Sequence, residues 1–231
     1  MDEKNNFMNN AKTPRAAAVA GILFTLLFAC SYVLIRLATP SDITDLSAWT
    51  DTTRRMVSIS LSLIALAGVA FLWFIGVIRD RLGAFEDQFF STVVLGSGLL
   101  FLAMIFAAFA FGAGMFSALS IQGDHITSPD AYVVGRAVMS QMFNMYALKM
   151  ASVFMISLST LWLRTRVMPR WMSFIGYGVA LLLLFSLSLS VWMVLWFPGW
   201  VLLVSTFFLI KSYHQMPSDS GDDSMSPQAA S

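Results

Sequence analysis

The sequence predicts an all-α fold, a polytopic bundle of six transmembrane helices with both termini in the cytoplasm. Composition is the first reason, since 58% of the 231 residues are hydrophobic and only 12% are charged. A soluble domain has about 45–50% apolar and about 25% charged residues, so this chain has too few polar side chains to cover a water-soluble globule. Long uncharged runs and an uneven distribution of lysine and arginine are the other two reasons.

The uncharged runs divide into six spans. About 20 helical residues cross the hydrocarbon core of a bilayer, which is about 30 Å thick. The predicted spans are residues 16–35, 56–78, 89–111, 140–163, 171–190 and 193–212. Together they form a transmembrane domain over residues 16–213, and the polar segments 1–15 and 214–231 are predicted to be disordered and cytoplasmic.

The first span is predicted to be retained in the protein. Lys12 and Arg15 precede it and could form the n-region of a cleaved signal peptide, which is the competing interpretation. A lipoprotein-type cleavage site before Cys30 would need small residues, but Phe28 is bulky and the segment stays apolar through Ile35. These features favour a membrane anchor.

The last two spans come from one long apolar stretch. Residues 171–210 carry no charge, and as one helix these 40 residues would be about 60 Å long, twice the hydrocarbon thickness. The chain must therefore turn back, and the junction is predicted near residues 190–193. Pro198 then falls in the first turns of the sixth helix, where it is expected to kink it.

Basic and aromatic residues orient the bundle. Nine lysines and arginines lie on the side of the termini and four on the other, which predicts that both termini are cytoplasmic. Aromatic side chains are predicted to form belts at the two interfaces. The outer belt would contain Tyr32, Trp49, Tyr132, Trp192 and Trp196, and the inner belt Trp73, Trp162, Trp171 and Tyr213.

The third span is rich in small residues. Ala103 and Ala107, or Ala108 and Gly112, are four residues apart, a spacing that lets helices approach closely in lipid. This pattern predicts packing inside the bundle.

Lys149 is the charged residue that lies farthest inside a predicted span. A charge within the hydrocarbon costs several kcal/mol, so such a residue is a candidate functional site. The predicted spans contain no acidic partner for it. The candidate polar site is therefore Lys149 with its polar neighbours in the fourth span, Gln141, Asn144, Tyr146 and Ser152. The alternative is a lysine whose long stem reaches the outer interface, since Lys149 would lie only about 9 Å below it.

No catalytic, cofactor or metal site is predicted. The two histidines, His125 and His214, lie outside the spans, so no histidine can activate Ser97 or ligate a haem within the bilayer. The methionines are spread along the chain and are interpreted as packing residues. A single cysteine allows no disulfide within the chain, and a net charge of +1 without a basic stripe argues against nucleic acid.

Several short segments resemble a set of uncharacterised bacterial membrane proteins with six spans. These are residues 79–83 (RDRLG), 95–101 (LGSGLLF), 154–157 (FMIS) with 164–166 (RTR), 169–171 (PRW) and 197–205 (FPGWVLLVS). The resemblance covers roughly residues 16–213 and implies the six-span topology, without implying a chemical activity.

A second resemblance concerns the loop after the second span. Residues 76–83 (GVIRDRLG) are similar to the G-x-x-x-D-R-x-G loop of major-facilitator transporters, of which six spans would make one half. The chain departs from that family where Ala84 and Phe85 replace basic residues, and a second half is missing. The competing interpretation is that Asp80 lies by coincidence between two positive-inside arginines.

Two functions follow as expectations. The first is a non-catalytic scaffold or membrane-assembly component whose partner is the lipid bilayer. The alternative is a small-molecule or ion transporter or channel that works as a homo-oligomer, with the fourth span lining the path. An enzyme is the least supported class, because the acidic residues stay outside the spans and no nucleophile meets a base.

Overall fold

A computed structural model describes residues 2–38, 51–82, 88–122, 129–166, 168–185 and 191–214. Side chains are described for residues 16–38, 52–79, 89–115, 117, 133–166, 168–185 and 192–212. All regular structure within these ranges is helical. The helices are α1 (Asp2–Ala38), α2 (Asp51–Leu82), α3 (Gln88–Gln122), α4 (Pro129–Gln141), a π-helix (Met142–Ala147), α5 (Leu148–Thr165), α6 (Arg170–Phe185), a 3₁₀-helix (Val191–Leu195) and α7 (Trp196–His214).

Five helical segments, rather than the predicted six, are long and apolar enough to cross a membrane. They are Ala16–Ala38, Thr52–Arg79, Phe89–Met115, Val133–Thr165 and Trp192–Ser212. This is the pattern of a multi-pass membrane protein. The predicted span 171–190 corresponds to α6, whose 16 residues are about 24 Å long and therefore shorter than the hydrocarbon core. The remaining residues of that prediction, 186–190, lie outside the described part of the chain.

The helices are mostly longer than the spans that hydropathy predicts. Helix α3 continues to Gln122 and α4 begins at Pro129, so both extend into the segment between the predicted third and fourth spans. Helix α1 begins at Asp2 and includes most of the segment predicted to be a disordered N-terminus. Once an apolar span has formed a helix, each further residue adds a backbone hydrogen bond without a new nucleation cost, so polar flanking residues can extend it. The predicted C-terminal tail lies outside the described residues from position 215 onward.

Side-chain contacts define the helix directions. Thr25 meets Pro198, and a β-carbon at Gly21 would meet Ser205, so α1 and α7 are antiparallel. Helices α5 and α6 are antiparallel as well, because Thr160 contacts Tyr177 and Lys149 contacts Leu184. The membrane end of α1 near Ala16 and the end of α7 near Ser212 therefore lie at the same end of the bundle.

Seven phenylalanines fill the middle of the bundle, and each is at most 2% exposed. Phe71 of α2 lies at the centre of this cluster, with ring centroids 4.7 Å from Phe24, 5.5 Å from both Phe101 and Phe154, and 5.7 Å from Phe197. We call the set the phenylalanine cluster: Phe24 and Phe28 (α1), Phe71 and Phe74 (α2), Phe101 (α3), Phe154 (α5) and Phe197 (α7). It joins five helices by the dispersion contacts that hold helices together in lipid.

The start of α7 contains a proline, and the end of α5 is followed by a residue with a left-handed backbone conformation. Pro198 lacks a backbone N–H and would clash with the carbonyl of Val194 in a regular α-helix, and the chain before Trp196 takes the tighter 3₁₀ form. At the end of α5, Arg166 has a φ of 53°, and its N–H donates to the carbonyl of Trp162 at 2.9 Å. This is the left-handed helix cap for which glycine is usual.

The predicted aromatic belts are only partly confirmed. Trp73, Trp171, Trp192 and Trp196 are exposed on the outside of the bundle, as a belt requires. Trp162 and Tyr32 are instead buried, and Trp162 stacks on Trp200 with a centroid distance of 5.6 Å. Trp162 is therefore a packing residue and does not mark the inner interface. Trp49, Tyr132 and Tyr213 lie outside the described side chains.

Some small residues of the third span are buried in the bundle and others lie at its surface. Ala108 and Gly112 are buried, and a β-carbon at Gly112 would lie 2.8 Å from the sulfur of Met139 in α4. Ala103 is exposed and Ala107 is half-buried. The predicted close packing is therefore confirmed for the pair Ala108 and Gly112 and not for the pair Ala103 and Ala107.

Candidate polar site of the fourth span

The five predicted site residues lie on one continuous helical segment. Gln141 ends α4, Asn144 and Tyr146 belong to the π-helix, and Lys149 and Ser152 belong to α5. A π-helix contains extra residues per turn and often marks a functional position. Because it changes the angular spacing of side chains, it also decides which of these residues can face the same direction.

The structure does not bring the five side chains together. Gln141 and Tyr146 are exposed on the outside of the bundle, and the Tyr146 side chain is 59% exposed. Nδ2 of Asn144 donates to Oγ of Ser140, 3.0 Å away in the same segment. Oγ of the fully buried Ser152 donates to the carbonyl of Leu148 at 2.8 Å. Both polar groups are therefore satisfied close to their own position in the chain.

Lys149 makes the contact that links two helices. It is half-buried, and its Nζ donates a hydrogen bond to the carbonyl oxygen of Leu184. Leu184 lies in the last described turn of α6, toward the carboxyl end of that helix. The carbonyl end of a helix carries a partial negative charge that a cation stabilises. Lys149 thus supplies both the donor and the charge that suit this end of α6.

The depth of Lys149 follows from its distance to the phenylalanine cluster. Phe154 belongs to that cluster and comes five residues later in α5, so Lys149 lies about 7.5 Å from it along the helix axis. Half of the hydrocarbon core is about 15 Å thick. If the cluster lies at mid-bilayer, Lys149 is within the hydrocarbon, where a backbone carbonyl is a suitable partner for a buried ammonium group.

Other candidates have ordinary local partners. The hydroxyl of Ser97, considered above as a nucleophile, donates to the carbonyl of Val93 at 2.6 Å within its own helix. Within the described segments, no three His, Cys, Asp or Glu side chains come close enough to hold a metal ion.

The chain matches no protein-family model, no curated protein and no solved structure. The contacts inside the bundle are therefore the basis on which a function can be proposed.

A second polar cluster lies where α5, α6 and α7 meet, and the sequence did not single it out. A β-carbon at Gly176 would overlap with Oγ of Ser159 and would lie 3.2 Å from Nε1 of Trp200. Ser159, Ser173 and the Trp200 indole are all buried, and their polar atoms find no hydrogen-bond partner among the described residues. Next to them, the hydroxyls of Thr160 and Tyr177 are 2.7 Å apart.

The spacing of small residues is the signal that could have located this junction. Ser173 and Gly176 are three residues apart on α6, a separation that places both on one helix face, and small residues at such spacing let helices approach in lipid. Because the helices approach closely at Gly176, the polar atoms of Ser159, Ser173 and Trp200 are buried.

Proposed function

We propose that the chain is a multi-pass protein of the bacterial inner membrane that serves as a non-catalytic scaffold or membrane-assembly component. The phenylalanine cluster is the observation that carries this proposal. A transport path through a single copy would have to pass the middle of the bundle, where a water-filled passage needs polar walls. In this position, five helices bring together buried phenyl rings instead.

The use of Lys149 supports the same proposal. An ion pathway would present the ammonium group to a polar cavity, whereas here its hydrogen bond goes to the backbone of α6. The lysine then has a structural role, which is to hold the end of a short helix against α5.

Both termini are proposed to lie in the cytoplasm. Nine of the lysines and arginines belong to the side of the termini and four to the other, and cytoplasmic loops are usually the basic ones. The antiparallel packing of α1 and α7 agrees with an arrangement in which both lie on the same side. A green fluorescent protein fused after Ser231 is expected to fluoresce, because its chromophore forms only in the cytoplasm. A fusion that is exported and dark would contradict this orientation.

A transporter or channel formed by several copies is the second candidate. The π-helix in the fourth span favours it, since π-helical segments occur frequently at functional sites. The exposed Gln141 and Tyr146 lie on the outside of the bundle and could line a path only between copies. In that case the fourth spans of neighbouring copies would face each other.

Cysteine accessibility separates the two candidates. Cys30, which is exposed, is first replaced by serine, and single cysteines are then introduced as Arg36→Cys, Ser152→Cys and Tyr146→Cys. Arg36 is exposed at the end of the first span, so Arg36→Cys is the accessible control. A membrane-impermeant thiol reagent is applied to intact cells and to inverted vesicles.

The scaffold proposal expects the reagent to label the Arg36→Cys variant and to leave the Tyr146→Cys and Ser152→Cys variants unlabelled. The reason is that position 152 is fully buried and position 146 faces lipid. Labelling of either variant of the fourth span at the rate of the control would contradict the proposal. It would instead show a water-accessible path along the fourth span and favour the oligomeric transporter.

A further inference from the structure

A cleft of about 500 Å³ lies between α6 and α7. Ile175 and Val179 form its α6 wall, and Trp192, Trp196, Gly199 and Trp200 form much of the opposite wall. Trp192, Trp196 and Gly199 are exposed, so the cleft opens on the outer surface of the bundle. The α7 wall belongs to a segment that is long and apolar enough to cross a membrane, and we therefore infer that the cleft opens toward lipid.

The cleft exists because its two helices pack on different neighbours. Helix α6 packs mainly against α5, with Gly176 against Ser159 and Tyr177 against Thr160. Helix α7 packs mainly against α1 and contacts α6 only sparsely. The space between α6 and α7 thus follows from how these helices pack.

The walls offer hydrocarbon and aromatic surface. Trp200 is the innermost of the three indoles, and its Nε1 is buried near Gly176, on the side of Ser159. Apolar side chains with a few aromatic rings are the usual lining of a site for a hydrophobic ligand, and the volume is in the usual range of about 300–1,000 Å³.

The length of the cleft indicates the occupant. From Trp192 to Leu203, the 3₁₀ and α-helical segments rise by roughly 18 Å. One lipid chain extends over about half of a 30 Å hydrocarbon core, which is about 15 Å.

We propose that the cleft is a binding site for one acyl chain of a membrane phospholipid, which fills the space between α6 and α7 and takes the place of direct helix packing there. The chain contacts the indoles of Trp192, Trp196 and Trp200 on one side and the aliphatic side chains of α6 on the other. This proposal does not depend on whether the protein is a scaffold or a transporter.

Gly199 provides a test that leaves the bundle intact. Gly199 lines the cleft, and a β-carbon at this position would meet nothing within 4 Å, so Gly199→Leu adds bulk to this wall with room for its first carbon. Gly178 of α6 is the matched control, because it is also exposed with nothing within 4 Å and does not line the cleft. Val179→Phe adds bulk from the α6 wall and is the second cleft-filling variant, to be used if Gly199→Leu fails to fold.

The probe is a phosphatidylethanolamine with a diazirine midway along one acyl chain, in vesicles of phosphatidylethanolamine and phosphatidylglycerol. After illumination, mass spectrometry counts adducts on residues 175–185 and 192–203 and on the exposed face of α2, which includes Leu66 and Val69. We expect severalfold more adducts at the cleft than on α2. Gly199→Leu or Val179→Phe should reduce the cleft signal to the α2 level, while Gly178→Leu should leave it unchanged.

Two results would overturn the proposal. One is equal labelling of the cleft and of α2 in the unmodified protein, which would show ordinary contact with bulk lipid. The other is cleft labelling that persists in both cleft-filling variants, which would place the bound chain elsewhere.

Discussion

The hydroxyl oxygen of Thr25 lies 3.0 Å from the carbonyl oxygen of Pro198, 173 positions further along the chain. The same hydroxyl is 2.9 Å from the carbonyl of Gly21 in its own helix. This contact joins the first membrane helix to the last one. It lies beside the phenylalanine cluster, because Phe24 and Phe197 are the neighbours of these two residues in sequence and their rings are 6.1 Å apart.

Replacement of Thr25 by valine should weaken the attachment of α1 to α7. The variant keeps the shape of the side chain and loses the donor, and hydrogen bonds between membrane helices contribute about 0.6 kcal/mol on average. We expect a loss of about 1 kcal/mol in the free energy of unfolding, measured by titration with dodecyl sulfate in mixed micelles. Thr206→Val, at an exposed position of α7, is the control and should change little. Equal losses in both variants would contradict the role of Thr25.

Lys149 should stabilise the end of α6. In Lys149→Met the side-chain length is retained, but the charged donor to Leu184 is lost. Hydrogen bonds from charged groups contribute about 1.5–3 kcal/mol, and we expect a loss of this order in the free energy of unfolding. Backbone amides near Leu184 should also exchange with deuterium faster. Lys149→Arg keeps the charge and should recover most of the stability. Unchanged exchange in Lys149→Met would contradict this function of the lysine.

Substitutions at Gly21 and Ser205 should have non-additive effects on the free energy of unfolding. A β-carbon at Gly21 would overlap with Oγ of Ser205, so Gly21→Ala is expected to destabilise the bundle by about 1–3 kcal/mol. Ser205→Ala alone should be close to neutral, because this buried hydroxyl has no hydrogen-bond partner among the described residues. In the double variant the overlap with Oγ is removed, and part of the lost stability should return.

The measurement is a double-mutant cycle of unfolding free energies. Gly76→Ala is the control, since a β-carbon at that exposed position meets nothing within 4 Å. Additive effects of Gly21→Ala and Ser205→Ala would show that the two side chains do not meet.

Arg166 should tolerate glycine better than valine. Its φ of 53° is in the left-handed region, which costs an L-residue about 1–2 kcal/mol and costs glycine nothing comparable. We expect Arg166→Gly to keep or raise the unfolding free energy and Arg166→Val to lower it by about 1 kcal/mol or more. Thermal unfolding in detergent, followed by circular dichroism, would show the difference. A lower midpoint for Arg166→Gly than for Arg166→Val would contradict the left-handed cap.

Hydropathy predicts the membrane helices well because it depends only on local composition. Five of the six predicted spans correspond to helices that are long and apolar enough to cross a membrane. The exception is α6, whose described residues, Arg170–Phe185, are too few to cross a membrane, while residues 186–190 of the predicted span lie outside the described part of the chain. The π-helix is invisible in the sequence, since a single segment of that kind leaves no repeated hydrophobic spacing.

The candidate site was predicted less well because its contacts depend on other helices. The acceptor for Lys149 is a backbone carbonyl, and every residue has one, so no residue type in the sequence identifies Leu184. Trp162 has the residue type and position of an interfacial residue, yet its ring stacks on that of Trp200 in α7. Which face of a helix is buried follows from the arrangement of all the helices.

The contact between Thr25 and Pro198 also has a consequence for biosynthesis. Pro198 is translated 173 residues after Thr25, which takes roughly 10–35 s at about 5–20 residues per second. During this time the part of α1 around Gly21 and Thr25 lacks its contacts with Ser205 and Pro198, while Phe74 of α2 is already present beside Gly21. In polypeptides that stop before α7, the hydroxyl of Thr25 would lack its acceptor on another helix and would keep only the carbonyl of Gly21.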